Sequence, residues 1–456
     1  MTARPLHAVL LPSRQAGERL LEAMAAALDG TGPAILPLDP ALPRARIDEL
    51  IAAFAPSSVE SPEGRQQLPR ARRRARAGVA CGLRGVAEDV AVVLATSGST
   101  GRPKGAELTA EALLASARAS LARLGATPGQ RWLCCLPLHH ISGLGVLVRS
   151  LASGSEPVVR DRVDAGLVAG AVAGDASDSA GCSYVSLVPT QLRRLLEAGA
   201  PLAGFRAILL GGAAIPAGML AEAAAAGARV VTSYGMTETC GGCVYDGVPL
   251  DGVRVASGSD ARIRIAGPVL FSRYRLAPEL TGTVLRDGWF STSDLGEVTA
   301  GGRLIVRGRA DDVINTGGEK VAAGEVEHVL RDCPGVRDVV IVGIPDPDWG
   351  ERVTAVVIPA DPKAHPSLDE LMAYVRDRLP RHAVPRSAVF VATLPMLASG
   401  KPDRQLIKDL AADRARGFPG TLTRRGDSAR RKQGIKEFLG HATAARETKR
   451  PDARYT

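Results

Sequence analysis

The sequence predicts an α/β protein with a large N-terminal domain of parallel or mixed sheets with helices plus a small β region, followed by a smaller α+β C-terminal domain. Three observations carry this. Between Val90 and Ser233 short β-branched runs alternate with helix-length amphipathic stretches, the pattern of a largely parallel sheet covered on both faces. From about Val248 to Val306 the chain changes to short strands punctuated by Asp287-Gly288 and Gly301-Gly302, which are turn signals of a small β region. After Arg309 roughly one hundred residues carry apolar faces of their own, enough for a second domain.

The elements follow in order. VAVVLAT at 90–96 reads as a buried strand, and Leu108 to Leu124 places Leu113, Leu114, Ala117, Leu121 and Leu124 near one helical face, with Gly125 as the stop. Residues 132–136 read as strand and 141–151 as helix. Residues 184–188 are strand, and Pro189 breaks it before a helix at 190–198. The 207–210 strand turns at Gly211-Gly212 into a helix from Pro216, where a first-turn proline loses nothing, and 229–233 is strand again. In the second domain the reading is helix 325–331, strands 336–344 and 355–359, helix 367–379 and strand 388–391. There is no internal repeat.

Composition bounds the function. Of 456 residues 45% are hydrophobic, and the formal net charge is +9. The charge is unevenly placed. Residues 413–456 hold 12 basic and 5 acidic side chains, and residues 57–86 hold 7 and 2; the rest of the chain is slightly acidic. The domains are therefore expected at 1–308, with a basic linker or loop at 57–86, and at 309–410, with a basic, disordered tail at 411–456. Charge confined to a tail and a loop argues against a nucleic-acid partner. No apolar run approaches the ~20 residues of a membrane span, and Ile141 to Leu151 carries Arg149, so no stable membrane insertion and a cytoplasmic location are expected. A homo-oligomer is compatible with the sequence. Seven cysteines suit a reduced compartment. Cys240-Gly-Gly-Cys243 has metal-ligand spacing without a second pair to complete a site.

Thr96-Ser97-Gly98-Ser99-Thr100-Gly101-Arg-Pro-Lys104-Gly follows a strand and is expected to precede a helix. Its glycines let backbone N–H groups crowd an oxyanion, four hydroxyls add donors, and Lys104 supplies a point charge, so a phosphate chain is the natural guest. It is not a Walker A loop, because Pro103 stands where that motif needs glycine.

With this loop and six later motifs in order the chain resembles the adenylate-forming superfamily of acyl-CoA synthetases, carrier-loading adenylation domains and luciferases. The motifs are Gly211-Gly-Ala-Ala-Ile-Pro216, Tyr234-Gly-Met-Thr-Glu-Thr239, Gly288-Trp-Phe-Ser-Thr-Ser-Asp294, Gly308-Arg-Ala-Asp-Asp-Val-Ile314, Gly317-Gly318 before Glu325-Val-Glu327, and Pro395-Met-Leu-Ala-Ser-Gly-Lys401. The resemblance covers roughly Val90 to Leu410. It implies a mobile C-terminal domain and an ATP- and Mg²⁺-dependent reaction in two steps: a carboxylate joins the α-phosphate of ATP with loss of pyrophosphate, and the acyl group then passes to CoA.

Residue by residue, the resemblance implies that Thr237 contacts the α-phosphate and Glu238 holds the metal, a hard cation's usual carboxylate. It implies that Gly211, Gly212, Ala213 and Tyr234 line the adenine, with Gly235 and Met236 beside them, and that Asp294 accepts from the ribose hydroxyls with Arg309 as a second ribose contact. Lys401 matches the lysine that bridges carboxylate and phosphate during adenylation. Asp311 matches the hinge of the second domain, and Gly317 and Gly318 match the segment that lets pantetheine pass. Lys320 lies where a basic group near the CoA phosphates is common; an ordinary surface lysine is the alternative.

Leu136-Pro-Leu-His139-His140-Ile-Ser-Gly143, with Arg149 nine residues after His140, resembles the 2-succinylbenzoate–CoA ligase branch of menaquinone biosynthesis. There His140 would wall the acyl pocket, beside Gly235, and Arg149 would hold the second carboxylate of a small aromatic dicarboxylate. A core histidine satisfied by backbone, and an arginine paired with a local Asp or Glu, remain the alternatives. So do another aryl- or acyl-CoA ligase and a nucleotide-binding relative without catalysis. The phosphate loop starts early in the chain, so an abbreviated N-terminal part is expected. Ser293 replaces the commoner glycine before the acidic residue.

Overall fold

Alternate residues of each central strand face different cores, which is how one sheet is covered on both sides. In the computed structural model, which describes residues 3–11, 13–68, 85–96, 103–174, 181–215, 217–397 and 401–415, the chain divides into two units, 1–306 and 307–456.

The first unit holds two large sheets and one small one. In the second large sheet Arg131–Cys134, Cys182–Leu187, Ala207–Gly211 and Val230–Met236 run parallel. Gly241–Tyr245 and Val248–Pro249 are added antiparallel at one edge, and Val158–Val159 in parallel at the other. Trp132, Tyr184, Leu209 and Val231 point to one core. Leu133, Val185, Ile208 and Leu210 point to another, beneath Leu192, Leu195 and Met219 of the helices on that face. The period of two that makes both faces apolar is the reason these strands read as continuous hydrophobic runs.

The first sheet is mixed, and much of it comes from the N-terminal segment. Arg4–Val9, Ala34–Pro37 and Ser58–Ser61 pair in parallel beside Val90–Thr96, so the part expected to be abbreviated supplies the sheet's middle. Helices Ser13–Leu28, Ala110–Leu124 and Ile141–Ser153 pack between the two sheets in one core. Arg4 is buried there and donates to Gly32 O at 2.6 Å, Ala27 O at 2.8 Å and Val90 O at 3.1 Å. It thereby satisfies carbonyls that the end of the Ser13–Leu28 helix leaves without partners. Of the expected linker, Ser58–Ser61 and Gly64–Gln67 form an antiparallel hairpin; residues 69–84, the Arg-rich centre, lie outside the described residues. The small β region is an antiparallel sheet of Arg254–Ser257, Arg262–Ala266, Trp289–Val298 and Leu285–Arg286.

The second unit is built on the long hairpin Val336–Asp346 and Gly350–Pro359, with Ser387–Phe390 added in parallel. Helices Ala323–Arg331 and Leu368–Arg376 cover one face through Val326, Leu330, Leu371 and Val375. Helix Arg404–Ala415 covers the other through Ile407, Leu410 and Ala411. The apolar periodicity therefore continues past residue 410, where the tail was expected to begin. Residues 416–456 lie outside the described residues. No helix among the described residues is long and apolar enough to cross a membrane.

Candidate active site

The four parallel strands end on the same edge of their sheet, and the segments leaving those ends carry His140, Gly211 to Ala213, and Thr237 with Glu238. Ligands of open α/β sheets bind at this carboxyl edge, where backbone groups are not consumed by pairing.

The phosphate-loop strand, Val90–Thr96, does not lead into a helix. It pairs antiparallel with a second strand, Lys104–Thr109, in register Thr96 to Lys104, and the helix starts only at Ala110, capped by the Thr109 side chain. The middle of Lys-Gly-Ala-Glu-Leu-Thr is buried throughout, with Leu108 in the core, so tertiary pairing overrode the helical reading of that leucine. Thr96 and Lys104 are both half-buried. Ser97, Gly98, Ser99, Thr100 and Gly101 lie outside the described residues.

Lys104 connects to Glu238 through a residue that the sequence motifs do not single out. Its ammonium lies 5.8 Å from the Tyr274 ring centroid, and the Tyr274 hydroxyl donates to Glu238 Oε1 at 2.7 Å. Burial and the Glu238 charge both push the Tyr274 hydroxyl's pKa up, so it stays a donor. Glu238 is buried, and its Oε2 makes no hydrogen bond among the described residues. Tyr274 is held by the Arg273–Tyr274 strand against Lys104–Thr109. The buried Glu107 carboxylate clamps that pairing, 2.8 Å from Arg273 Nε and 3.1 Å from Arg275 Nη1. This strand pairing brings Tyr274 beside Lys104.

Tyr234 and Asp294, on different sheets, meet directly: the Tyr234 hydroxyl donates to Asp294 Oδ2 at 2.9 Å. Burial and the neighbouring carboxylate raise the phenol's pKa. Asp294 is oriented by Thr292, whose Oγ1 accepts from the Asp294 N–H at 3.0 Å and donates to Ile263 O at 2.9 Å. The turn after Tyr234 is tight. A Cβ at Gly235 would lie 2.0 Å from Gly241 O, so only glycine fits. Thr239 Oγ1 accepts from Met236 N–H at 2.9 Å and lies 2.7 Å from Gly241 O, closing the turn that presents half-buried Thr237 and buried Glu238.

Arg149 sits in the helix Ile141–Ser153, with His140 as the residue before its first turn. The guanidinium is buried. It donates from Nη2 to Ser186 Oγ at 3.0 Å and stacks on Trp132 with its Cζ 4.3 Å from the ring centroid. Its Nε has no hydrogen-bond partner, and it pairs with no carboxylate among the described residues, so the alternative of a locally paired helix-edge arginine does not hold. Burial lowers its pKa, the mark of an uncompensated cation. His140 is half-buried, its ring 4.4 Å from that of His139. His139 Nε2 in turn lies 3.8 Å from Asp39 Oδ2, a residue of the N-terminal segment that sequence reasoning passed over.

In the second unit Arg309 Nη2 lies 3.2 Å from Asp311 Oδ2, both exposed. Gly317 and Gly318, with φ of 59° and 83°, form the two-residue turn between Val313–Thr316 and Glu319–Ala322, which needs left-handed backbone at both positions. Lys320 is exposed in the strand that follows. Lys401 is exposed on a loop closed by Leu397 N–H to Lys401 O at 2.8 Å and Asp403 N–H to Pro395 O at 2.9 Å. Cys240 and Cys243 are buried, and burial raises both thiols, Cys243 to about 12, which disfavours the thiolate a metal or redox role needs.

Similarity to known proteins follows the same layout. A protein of Mycobacterium tuberculosis named "Probable 2-succinylbenzoate--CoA ligase" is 46% identical over 323 residues, 70% of this chain and 83% of that one. A feruloyl-CoA synthase of Amycolatopsis is 36% identical over 341 residues, 69% of this chain and 68% of that one. The o-succinylbenzoate CoA synthetase of Bacillus subtilis in complex with the acyl-adenylate intermediate OSB-AMP superposes with a TM-score of 0.72 at 28% identity, covering 89% of this chain and 88% of that one. The AMP-binding enzyme model matches residues 18–308 and the AMP-binding enzyme C-terminal domain model residues 325–401. The first match begins well before Val90, where the motif-based resemblance started, in agreement with the place of the N-terminal strands in the first sheet; the chain belongs to the AMP-binding enzyme family.

Proposed function

We propose that this chain is an ATP-dependent acid–CoA ligase of menaquinone biosynthesis, acting on 2-succinylbenzoate. Family membership and relatives named for that activity support the reaction class. The observation that carries the choice of acid is Arg149, a buried guanidinium without a carboxylate partner among the described residues, on the helix that His140 precedes. A buried cation needs an anion, and the second carboxylate of an aromatic dicarboxylate would supply one.

On this reading the succinyl carboxylate attacks the α-phosphate and pyrophosphate leaves; the CoA thiol then attacks the acyl carbonyl and AMP leaves. Lys104, Thr96 and the glycines and hydroxyls of the phosphate loop neutralise the phosphate oxygens, and Thr237 binds the α-phosphate. Tyr234 and Asp294 receive adenine and ribose, with Arg309 as a further ribose contact. Lys401 stabilises the adenylation transition state, where negative charge from carboxylate and phosphate converges. Asp311 serves as hinge, and Gly317, Gly318 and Lys320 meet CoA. Glu238 fits a hard divalent cation, having one oxygen held by Tyr274 and the other open among the described residues. Mg²⁺ held there would draw charge from the phosphates.

The feruloyl-CoA synthase relative favours a second reading, an aryl-CoA ligase for a monocarboxylate. A pyrophosphate-release assay across aromatic mono- and dicarboxylates, each with and without CoA, separates them. Succinylbenzoate is expected to give the highest kcat/KM with CoA-dependent thioester product. Preference for a monocarboxylate excludes it, and absence of any carboxylate-dependent pyrophosphate release leaves only nucleotide binding.

A further inference from the structure

The partly buried ionic network of the second unit is used by none of the assignments above, and it begins three residues after Lys401. Arg404 is the first residue of the helix Arg404–Ala415. Its Nε lies 3.0 Å from Asp312 Oδ2, its Nη1 donates to Ile341 O at 2.9 Å, and its Nη2 pairs with Glu327 Oε1. Glu327 is buried. The same Oε1 accepts from Ile341 N–H at 3.0 Å, and Oε2 takes Arg331 Nη2 at 3.1 Å. One planar guanidinium thus ties the Lys401 segment to three places: the residue next to Asp311, the first helix of the unit, and the strand Val336–Asp346. The chain between is short and held, since the 395–403 loop closes on itself and Asp403 Oδ1 caps the helix at Leu406 N–H, 3.1 Å away.

We propose that Arg404 is a positioning residue for adenylation: its three-way fork holds the Lys401 loop at a fixed offset from the Asp311–Asp312 segment, so that the same turn of backbone that moves the hinge carries the lysine with it. This rests on the roles proposed for Lys401 and Asp311. Holding the Asp312 carboxylate near the buried Glu327 carboxylate costs free energy unless a cation bridges them, and the planar fork presents donors in fixed directions to Asp312, Glu327 and the Ile341 carbonyl at once. A lysine can replace the charge but not the geometry.

The test separates the two half-reactions in Arg404→Lys, Arg404→Gln, Lys401→Ala and the core variant Leu371→Ala. Carboxylate-dependent pyrophosphate release reads adenylation, and CoA-thioester formation from preformed acyl-adenylate reads the second step. Loss of lysine placement is expected to lower adenylation by about 10²-fold in both Arg404 variants while the second step changes less than about threefold on the same scale, the pattern of Lys401→Ala. Leu371→Ala, which damages packing alone, lowers Tm without that split. Equal loss of both steps in Arg404→Lys, or no loss in a folded variant, overturns the proposal. If Lys401→Ala itself abolishes both steps equally, the reading of Lys401 falls and the proposal with it; if Lys401→Ala splits them and neither Arg404 variant does, only the proposal falls.

Discussion

At the scale of single residues, what a side chain is and what it can do are separate matters. Arg149 was legible as an oddity, a cation in an apolar helix, but its burial against Trp132 and its hydrogen bond to Ser186 could not be read from sequence, since they depend on how the helix packs on two strands, the one before it and one beyond it. These contacts orient the guanidinium and leave its charge uncancelled. Arg149→Ala is expected to cost about 2–5 kcal/mol in binding a dicarboxylate, read as kcat/KM, while a monocarboxylate analogue loses far less. Equal losses for both acids sink the assignment. Tyr274 shows the opposite case. No motif marks it, because its link to Glu238 depends on where the Arg273–Tyr274 strand docks.

At the scale of elements, the mostly apolar runs at 90–96, 184–188 and 207–210 located strands because both faces of the sheet are buried. The reading failed after Lys104, where Leu108 reads as helical but lies in the strand Lys104–Thr109, two residues before the helix at Ala110; local periodicity cannot say which neighbour will pair. Turns were better read: Gly211-Gly212 and Asp287-Gly288 do turn the chain, with left-handed backbone at 212 and 288. Gly235, which no turn signal marked, is held to glycine by close approach on the strand Val230–Met236. Gly235→Ala would push against the Gly241 carbonyl and displace the turn carrying Thr237 and Glu238. Adenylation is expected to fall by about 10²-fold with the protein still folded by circular dichroism. Unaltered pyrophosphate release would show that the turn has room the geometry denies.

At the scale of the whole molecule, stability of the first unit depends on how the N-terminal strands are fastened. His7 is buried on one of them, its Nδ1 2.8 Å from Ser58 Oγ and its Nε2 3.2 Å from Glu60 Oε2. Burial lowers its pKa from 6.5, with the Glu60 bond opposing in part. The folded state therefore disfavours the protonated ring, and the unfolded chain takes up the proton first as pH falls. Its stabilising contribution is complete above about pH 6.5 and is lost as pH falls through the lower folded pKa. Between pH 7.5 and 5, Tm is expected to drop more in the native chain than in His7→Gln; identical drops would remove His7 from the account. The sequence by itself determined the two-domain α/β class, the order of the phosphate, adenine, ribose and lysine motifs, and the turns where only glycine fits, because these rest on local sterics and on chemistry carried by neighbouring residues. The tertiary structure alone decided that the N-terminal segment supplies the middle of the first sheet, that Tyr274 joins Lys104 to Glu238, that Arg149 is buried with no carboxylate partner among the described residues, and that Arg404 ties the Lys401 loop to Asp312. Each of those depends on strands and side chains brought together from distant parts of the chain, and pairing energy of that kind leaves no periodic trace in sequence.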